Sequence, residues 1–263
     1  LPINDGAIRP LNIVLPPGTV VSASREAAKR WWMTVPMTVI DTIFKALAPA
    51  CPELVPAAHH GDLNLAGGGF GAVWNADGQS ATVCINDGDT HNHPIEAMEA
   101  KSSDVFIQRA LRPDSAGPGR WRGGLGVVEQ VQVTKPEMFS SKLERTGCAP
   151  WGLFGGHAAL SNRMSIVRRD GTVERFATGK IPPTRLETGD GTLTEMGGGG
   201  GFGSPLERPI ESVLADVRAG YVSVSCAESD YGVVVRQDGR TFTIDEPATA
   251  RLRAASAAGS GLG

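Results

Sequence analysis

The chain has 263 residues, 41% of them hydrophobic and 20% charged, with a formal net charge of -3 and a pI near 6.0. That length can bury a sizeable core in one large or two small domains, and the slight acidity leaves no basic surplus to neutralise the phosphates of a nucleic acid or to hold a polybasic membrane patch. No apolar run reaches the roughly 18–20 residues of a spanning helix, and residues 1–10 lack both a basic start and an apolar signal core, so a cytoplasmic location without nucleic-acid or membrane partners is expected.

The chain opens without methionine on Leu1-Pro2-Ile3-Asn4-Asp5-Gly6, as a nicked, trimmed or processed piece of something longer is expected to do. Residues 12–19 read as a short strand closed by Pro16-Pro17-Gly18. Ser24, with Glu26 and Ala27 behind it, reads as a helix start, and residues 24–48 carry Trp31, Trp32, Val35, Val39, Ile40, Ile43, Phe44 and Leu47 at three- and four-residue steps. This predicts one long amphipathic helix near the N-terminus, kinked or split at Pro36. The two tryptophans fit core packing or a ligand platform, and packing is the commoner use of aromatics at helical spacing.

After Gly67 the period turns strand-like. Residues 71–74 and 81–85 flank Asn75-Ala76-Asp77-Gly78, residues 164–168 and 173–176 flank Arg169-Asp170-Gly171, and residues 231–236 and 241–244 flank Gln237-Asp238-Gly239. Three Asp-Gly turns between apolar runs predict antiparallel hairpins. Residues 212–219 form a late helix with Val213, Leu214 and Val217 on one face. The expected fold is α+β, a β-rich body with antiparallel hairpins and a few helices. Its organisation is an N-terminal helical segment over 1–66 continuing from an absent upstream half, a β-rich region over 67–250, and a flexible tail over 251–263.

Chemistry is harder to place. Cys51, Cys84, Cys148 and Cys226 stand singly, with neither the density of a disulfide scaffold nor the spacing of a zinc ribbon, so they read as reduced thiols. His91-Asn92-His93, with Asp87 and Asp89 nearby, is a weak metal-site candidate or a polar loop; no further ligand follows at a diagnostic spacing. No Gly-x-Ser-x-Gly elbow occurs, and no general acid or base can be nominated. Residues 197–201 form an unbroken glycine run with no Gly-Lys-Ser/Thr behind it, so it is no P-loop. With Gly67-Gly68-Gly69-Phe70-Gly71 it marks a close approach of backbones, or of backbone and a ligand anion. Arg112, Arg120 and Arg122 sit in a glycine-rich loop, where guanidinium groups either clamp an oxyanion or pair with a neighbour such as Asp114 to stiffen the turn.

Residues 112–126, Arg-Pro-Asp-Ser-Ala-Gly-Pro-Gly-Arg-Trp-Arg-Gly-Gly-Leu-Gly, closely resemble the arginine- and glycine-rich signature of the hydantoinase B/oxoprolinase family. Further segments agree in the same order. They are Asn4-Asp5-Gly6 with Arg9-Pro10 and Pro16-Pro17-Gly18, the stretch from Asn92 to Glu99, and Pro150-Trp151-Gly152-Leu153-Phe154-Gly155-Gly156. Gly189-Asp190 with the glycine run and Phe202-Gly203-Ser204-Pro205 follows, then Val213-Leu214-Ala215-Asp216-Val217 with Asp230-Tyr231-Gly232-Val233.

The resemblance implies the C-terminal part of a hydantoinase B-type subunit, within a multi-subunit, ATP-dependent enzyme that opens cyclic amides such as hydantoins, 5-oxoproline or lactams. The alternatives it leaves open are a subunit of an acetone- or acetophenone-type carboxylase and a non-catalytic scaffold fragment of such a complex. It implies ATP and Mg held by a hydantoinase A-type partner, which phosphorylates the substrate. It also implies a divalent metal such as Zn or Mn, held by an upstream half whose ligand segments are absent here and expected on a separate chain. No metal is therefore expected in this chain, which is not expected to be active alone. The candidates in this chain for contact with substrate or phosphate are Arg112, Arg120, Arg122, Gly155, Gly156 and Gly199.

Overall fold

The computed structural model describes residues 9, 12–27, 34–61, 66–83, 94–102 and 104–259. Its elements, in chain order, are α1 (Thr34–Leu47), α2 (Ile95–Lys101), β1 (Val105–Leu111), β2 (Val127–Gln132), β3 (Glu137–Leu143), β4 (Arg163–Val167), β5 (Val173–Arg175), β6 (Gly179–Leu186) and β7 (Gly191–Glu195). A 3-10 turn (Pro205–Glu207) then leads to α3 (Ile210–Arg218), α4 (Val224–Tyr231), β8 (Val235–Asp238), β9 (Thr241–Ile244) and α5 (Glu246–Gly259). The α+β class with antiparallel sheets is as the sequence predicts.

The main sheet has five strands in the order β1-β2-β7-β4-β5, every neighbour antiparallel. Side chains alternate across it with a period of two, so β4 turns Ile166 to one face and Arg163 and Ser165 to the other. Ile166, at 0% exposure, packs with Val133 and with Ile181 and Leu186 of the separate β3-β6 ribbon. The C-terminal unit has its own core of Val213, Leu214, Val217, Val222, Ala227, Tyr231, Val233 and Val235. Within it, Ser223 caps α4 by accepting the Cys226 N–H, and Gly232 at φ 62 ends the helix in the left-handed conformation that glycine adopts without strain.

Two of the three expected hairpins form, β4 with β5 around Asp170-Gly171 and β8 with β9 around Asp238-Gly239. The third reverses elsewhere. Gly68 pairs with Thr82 and Val73 with Ala76, which puts the turn at Trp74-Asn75, with Asn75 at φ 69, instead of at Asp77-Gly78. The reason is tertiary. The Asp77 carboxylate is taken by the Arg122 N–H and by Arg208, and a Cβ on Gly78 would lie 2.0 Å from the Phe70 carbonyl oxygen.

The long N-terminal helix is shorter than predicted. Residues 25–27 are in a turn, residues 28–33 lie outside the described residues together with Trp31 and Trp32, and the helix runs over 34–47. Pro36 is the third described residue of this helix, and the kink or split expected there falls at the edge of the described residues. Residues 12–18 form no strand; Ile13, Val14 and Leu15 are exposed, and Gly18 at φ 79 turns the chain back. At the other end, residues 251–259 continue α5 where a loose tail was expected. Arg253 donates to the carbonyls of Tyr231 and Arg208, and the alanine-rich composition that reads as a tail is also that of the best helix formers.

Candidate functional site

The glycine segments meet in one layer between the main sheet and the C-terminal unit. A Cβ on Gly199 would lie 1.9 Å from the Phe70 carbonyl oxygen, one on Gly69 1.9 Å from that of Gly124, and one on Gly123 1.8 Å from that of Gly199. None of these three has a positive φ. They are glycine because backbones touch there, as at the crowded axis of collagen. Backbone hydrogen bonds tie the layer together: Gly199 N–H donates to Gly124, Gly200 to Ala58, Gly201 to His157, and Gly117 to Gly199. The N–H groups a phosphate would need along residues 199–201 are already engaged with carbonyls. Gly156 joins the layer, its missing Cβ 2.2 Å from the Gly201 oxygen, while Gly155 at φ 88 makes the bend after Phe154.

The arginine loop is pinned onto this layer and its three guanidinium groups do not share one partner. Arg112, 8% exposed, donates to the carbonyls of Ser161, Glu195 and Met196 and pairs with Glu195 at 3.4 Å. Burial lowers its affinity for a proton, opposed by Glu195. Arg122, also buried, donates to Asp216 at 3.3 Å and to the Gly123 carbonyl, with its guanidinium 5.4 Å from the Tyr221 ring centre. Arg120 is half exposed, 3.6 Å from Glu207. His91 and His93, the weak metal candidates, lie outside the described residues.

Two buried charge networks were not legible in the sequence. In the first, Arg208 makes a fork with both oxygens of Asp77 and bonds Asp216, which also holds Arg122. Burial works against the charge on Arg208, but Asp77 and Asp216 more than offset it and hold its pKa above the ordinary arginine range. This ties the C-terminal unit to the glycine layer. Asp216 stands inside the Val-Leu-Ala-Asp-Val segment noted above, whereas nothing local marks Arg208. In the second network, Asp41 on α1 is held by His59 Nδ1 at 3.1 Å, by the His59 N–H and by Arg145, whose guanidinium lies 4.6 Å from the Trp151 ring centre. Both networks have carboxylate and guanidinium in contact, which marks them as anchors.

His60 is the buried titratable group beside them. Its Nε2 donates to the Thr82 carbonyl, since a carbonyl can only accept, and Nδ1 is left unprotonated and without a partner. Burial, with His59 next, lowers its pKa to about 3, so the ring is neutral near pH 7. Among the described residues no group of three or more His, Cys, Asp or Glu is placed to hold a metal ion, so the described part does not fit the divalent metal that the resemblance implies. Cys148 is exposed, and Cys51 and Cys226 are half-buried free thiols. No helix among the described residues is long and apolar enough to cross a membrane.

Comparison with known proteins agrees with the resemblance. Residues 1–205 match the family model described as Hydantoinase B/oxoprolinase. The B subunit of a putative D-/L-hydantoinase from Pseudomonas sp. strain NS671 is 31% identical over 253 residues, covering 89% of this chain and 42% of that protein. The crystal structure of the ATP-dependent caprolactamase from Pseudomonas jessenii superposes with a TM-score of 0.80 at 29% identity, covering 97% of this chain and 48% of the other. Nucleotide-free acetone carboxylase shares the fold, with a TM-score of 0.68 at 24% identity over 81% of this chain and 35% of that one. The chain spans about half the length of the first curated relatives it matches.

Proposed function

The chain belongs to the hydantoinase B/oxoprolinase family, and from that premise we propose that it is about half of the B-type subunit of an ATP-dependent cyclic-amide hydrolase. The observation that carries this reading is the caprolactamase superposition, which takes in 97% of this chain at a TM-score of 0.80. In this reading ATP with Mg belongs to a hydantoinase A-type partner, in keeping with the absence of a P-loop and the engaged amides of residues 199–201. A divalent metal such as Zn or Mn belongs to a polypeptide equivalent to the other half of the relatives' chain. What this chain supplies is the glycine layer, a stiff platform on which the arginine loop is fixed. Arg112 and Arg122 hold the platform together, and the exposed Arg120, with the separate exposed bend at Gly155, is what stands open to substrate or partner.

The surface of α1 supports that other polypeptide as a partner. Asp41, Phe44 and Ala48 turn inward, whereas Ile40, Ile43 and Leu47 form an apolar stripe exposed at 39%, 51% and 46%, with Leu54 beyond it at 81%. An apolar patch rimmed by polar residues marks an interaction face. The occupant we assign is the polypeptide equivalent to the uncovered half.

The test is reconstitution. The chain is combined with its co-purifying polypeptides, and ATP-dependent ring opening of a hydantoin, 5-oxoproline and caprolactam is followed by product formation. Ring opening that requires this chain supports the reading. Full turnover by the other polypeptides without it makes the chain a scaffold fragment, and ATP turnover that instead requires bicarbonate and a ketone makes it part of a carboxylase.

A further inference from the structure

A cavity of about 320 Å³ opens beside β4 and β5 of the main sheet, and its wall carries Arg163, Ser165 and Arg175 together with Met164 and Phe176, which also pack against the Ile166 cluster. Strand register sets the arrangement. Arg163 on β4 stands opposite Glu195 on β7, and Ser165 stands opposite Arg175 on β5, so all four share one face. Thr146, Thr178 and Asn162, whose amide is already engaged with the His60 and Glu144 carbonyls and the Gly197 N–H, complete the polar part of the wall.

The charges do not balance. Glu195 is the acidic residue of the wall, and its carboxylate is paired with the buried Arg112 at 3.4 Å. The guanidinium groups of Arg163 and Arg175 have no hydrogen bond or ion pair among the described residues. Arg163 also stands close enough to Arg112 to work against its charge, alongside the larger effect of burial. Three guanidinium groups thus face one carboxylate in a protein whose net charge is negative.

The hydroxyls point the same way. Ser165 is 3% exposed and lines the cavity, and its hydroxyl has no partner among the described residues. Thr146 Oγ1 accepts the Gly179 N–H and Thr178 Oγ1 accepts the Lys180 N–H. An oxygen used as an acceptor keeps its own hydrogen to donate, so each of these hydroxyls still has a proton to offer. Met164 and Phe176 supply an apolar side to the same cavity.

We propose that this cavity binds the oxyanion of a small molecule, a carboxylate or phosphate carried on a short apolar body, between Arg163 and Arg175 with the Ser165 hydroxyl at its floor. The volume sits at the small end of ligand sites, about 300–1,000 Å³. Guanidinium groups suit the planar, forked geometry of either oxyanion. The proposal does not depend on which reaction the family membership brings.

Isothermal titration of the whole chain with inorganic phosphate, and separately with butyrate, both against chloride at matched ionic strength, tests it. The expected result is saturable binding of one anion per chain by at least one probe. Saturation by phosphate alone, by butyrate alone, or by both in competition then identifies the source of the oxyanion. The pair Arg163→Ala and Arg175→Ala is expected to weaken binding by about tenfold or more, as loss of charge-assisted bonds does. Ser165→Ala, which leaves both charges and the fold in place, is expected to weaken it several-fold, and Arg185→Ala, on the exposed Glu187 pair, to change nothing. Absence of saturable binding by either probe, or equal binding by the parent and the Ser165 and double-arginine variants, overturns the proposal.

Discussion

Placing a single methyl group at residue 199 should remove a large part of the protein's stability. In Gly199→Ala the new Cβ would lie 1.9 Å from the Phe70 oxygen, 2.0 Å from its carbonyl carbon and 2.4 Å from the Gly71 nitrogen. Ordinary contact between heavy atoms begins about 1.5 Å further out than the first of these, so the backbone must move by that much. The neighbours cannot yield cheaply. The Phe70 oxygen accepts from Gly124, the Gly124 oxygen accepts from Gly199, and the Gly199 oxygen accepts from Gly117. Disturbing two such buried bonds costs about 1–3 kcal/mol each, or about 2–6 kcal/mol together, against a typical total of about 5–15. The control is Gly171→Ala, where nothing lies within 4 Å and φ is 86, so only local strain of about 1–2 kcal/mol is expected. Urea unfolding of parent and variants measures both. If Gly199→Ala costs no more than Gly171→Ala, the glycine run is not a contact between backbones and the layer is held together in some other way.

Three other expectations follow from named contacts. Asp216→Ala removes the carboxylate partner of Arg122 and leaves Arg208 with Asp77 as its one carboxylate, at a cost of about 3–5 kcal/mol in urea unfolding, whereas Glu187→Ala at the exposed Arg185 pair costs under about 1. Equal costs would mean that the buried network anchors nothing. His60 takes a proton in the unfolded chain near pH 6.5 but in the folded chain only near 3. Its contribution is therefore whole above about pH 6.5 and is lost as pH falls towards 3, with a limiting slope of about 1.4 kcal/mol per pH unit. His60→Gln should flatten the stability profile between pH 6.5 and 5.5, and a parent profile as flat as the variant's would contradict the buried neutral ring. Ile43→Asp with Leu47→Asp should leave the isolated chain within about 0.5 kcal/mol of the parent, since both side chains are about half exposed, yet abolish capture of the polypeptide equivalent to the other half. Unchanged capture in a pull-down would move the interface away from α1.

Legibility in the sequence followed the range of the forces. Asp170-Gly171 and Asp238-Gly239 make hairpins because their turn chemistry acts over four residues and nothing distant competes. Asp77-Gly78 carries the same signal, but Arg208, far along the chain, takes the carboxylate and the backbone of Phe70 takes the space beside the glycine. The glycine run was readable as a close approach, because no local rule calls for five glycines in a row. What approaches it was not readable, since Phe70, Ala58 and His157 are brought there only by the fold. The arginine loop was visible for the same compositional reason, while Asp216 and Glu195, which decide that Arg122 and Arg112 are anchors, lie on other elements. The helical end of α5 was missed because small residues suit both a loose tail and a helix, and Arg253's partners Tyr231 and Arg208 decide between them.

Native mass spectrometry of the protein purified from its source, followed by denaturing mass analysis of every polypeptide present, tests the central claim most directly. The expected result is a particle in which this sequence is accompanied by a polypeptide equivalent to the other half of the relatives' chain and by a hydantoinase A-type ATP-binding subunit. A lone 27.5 kDa species would contradict it.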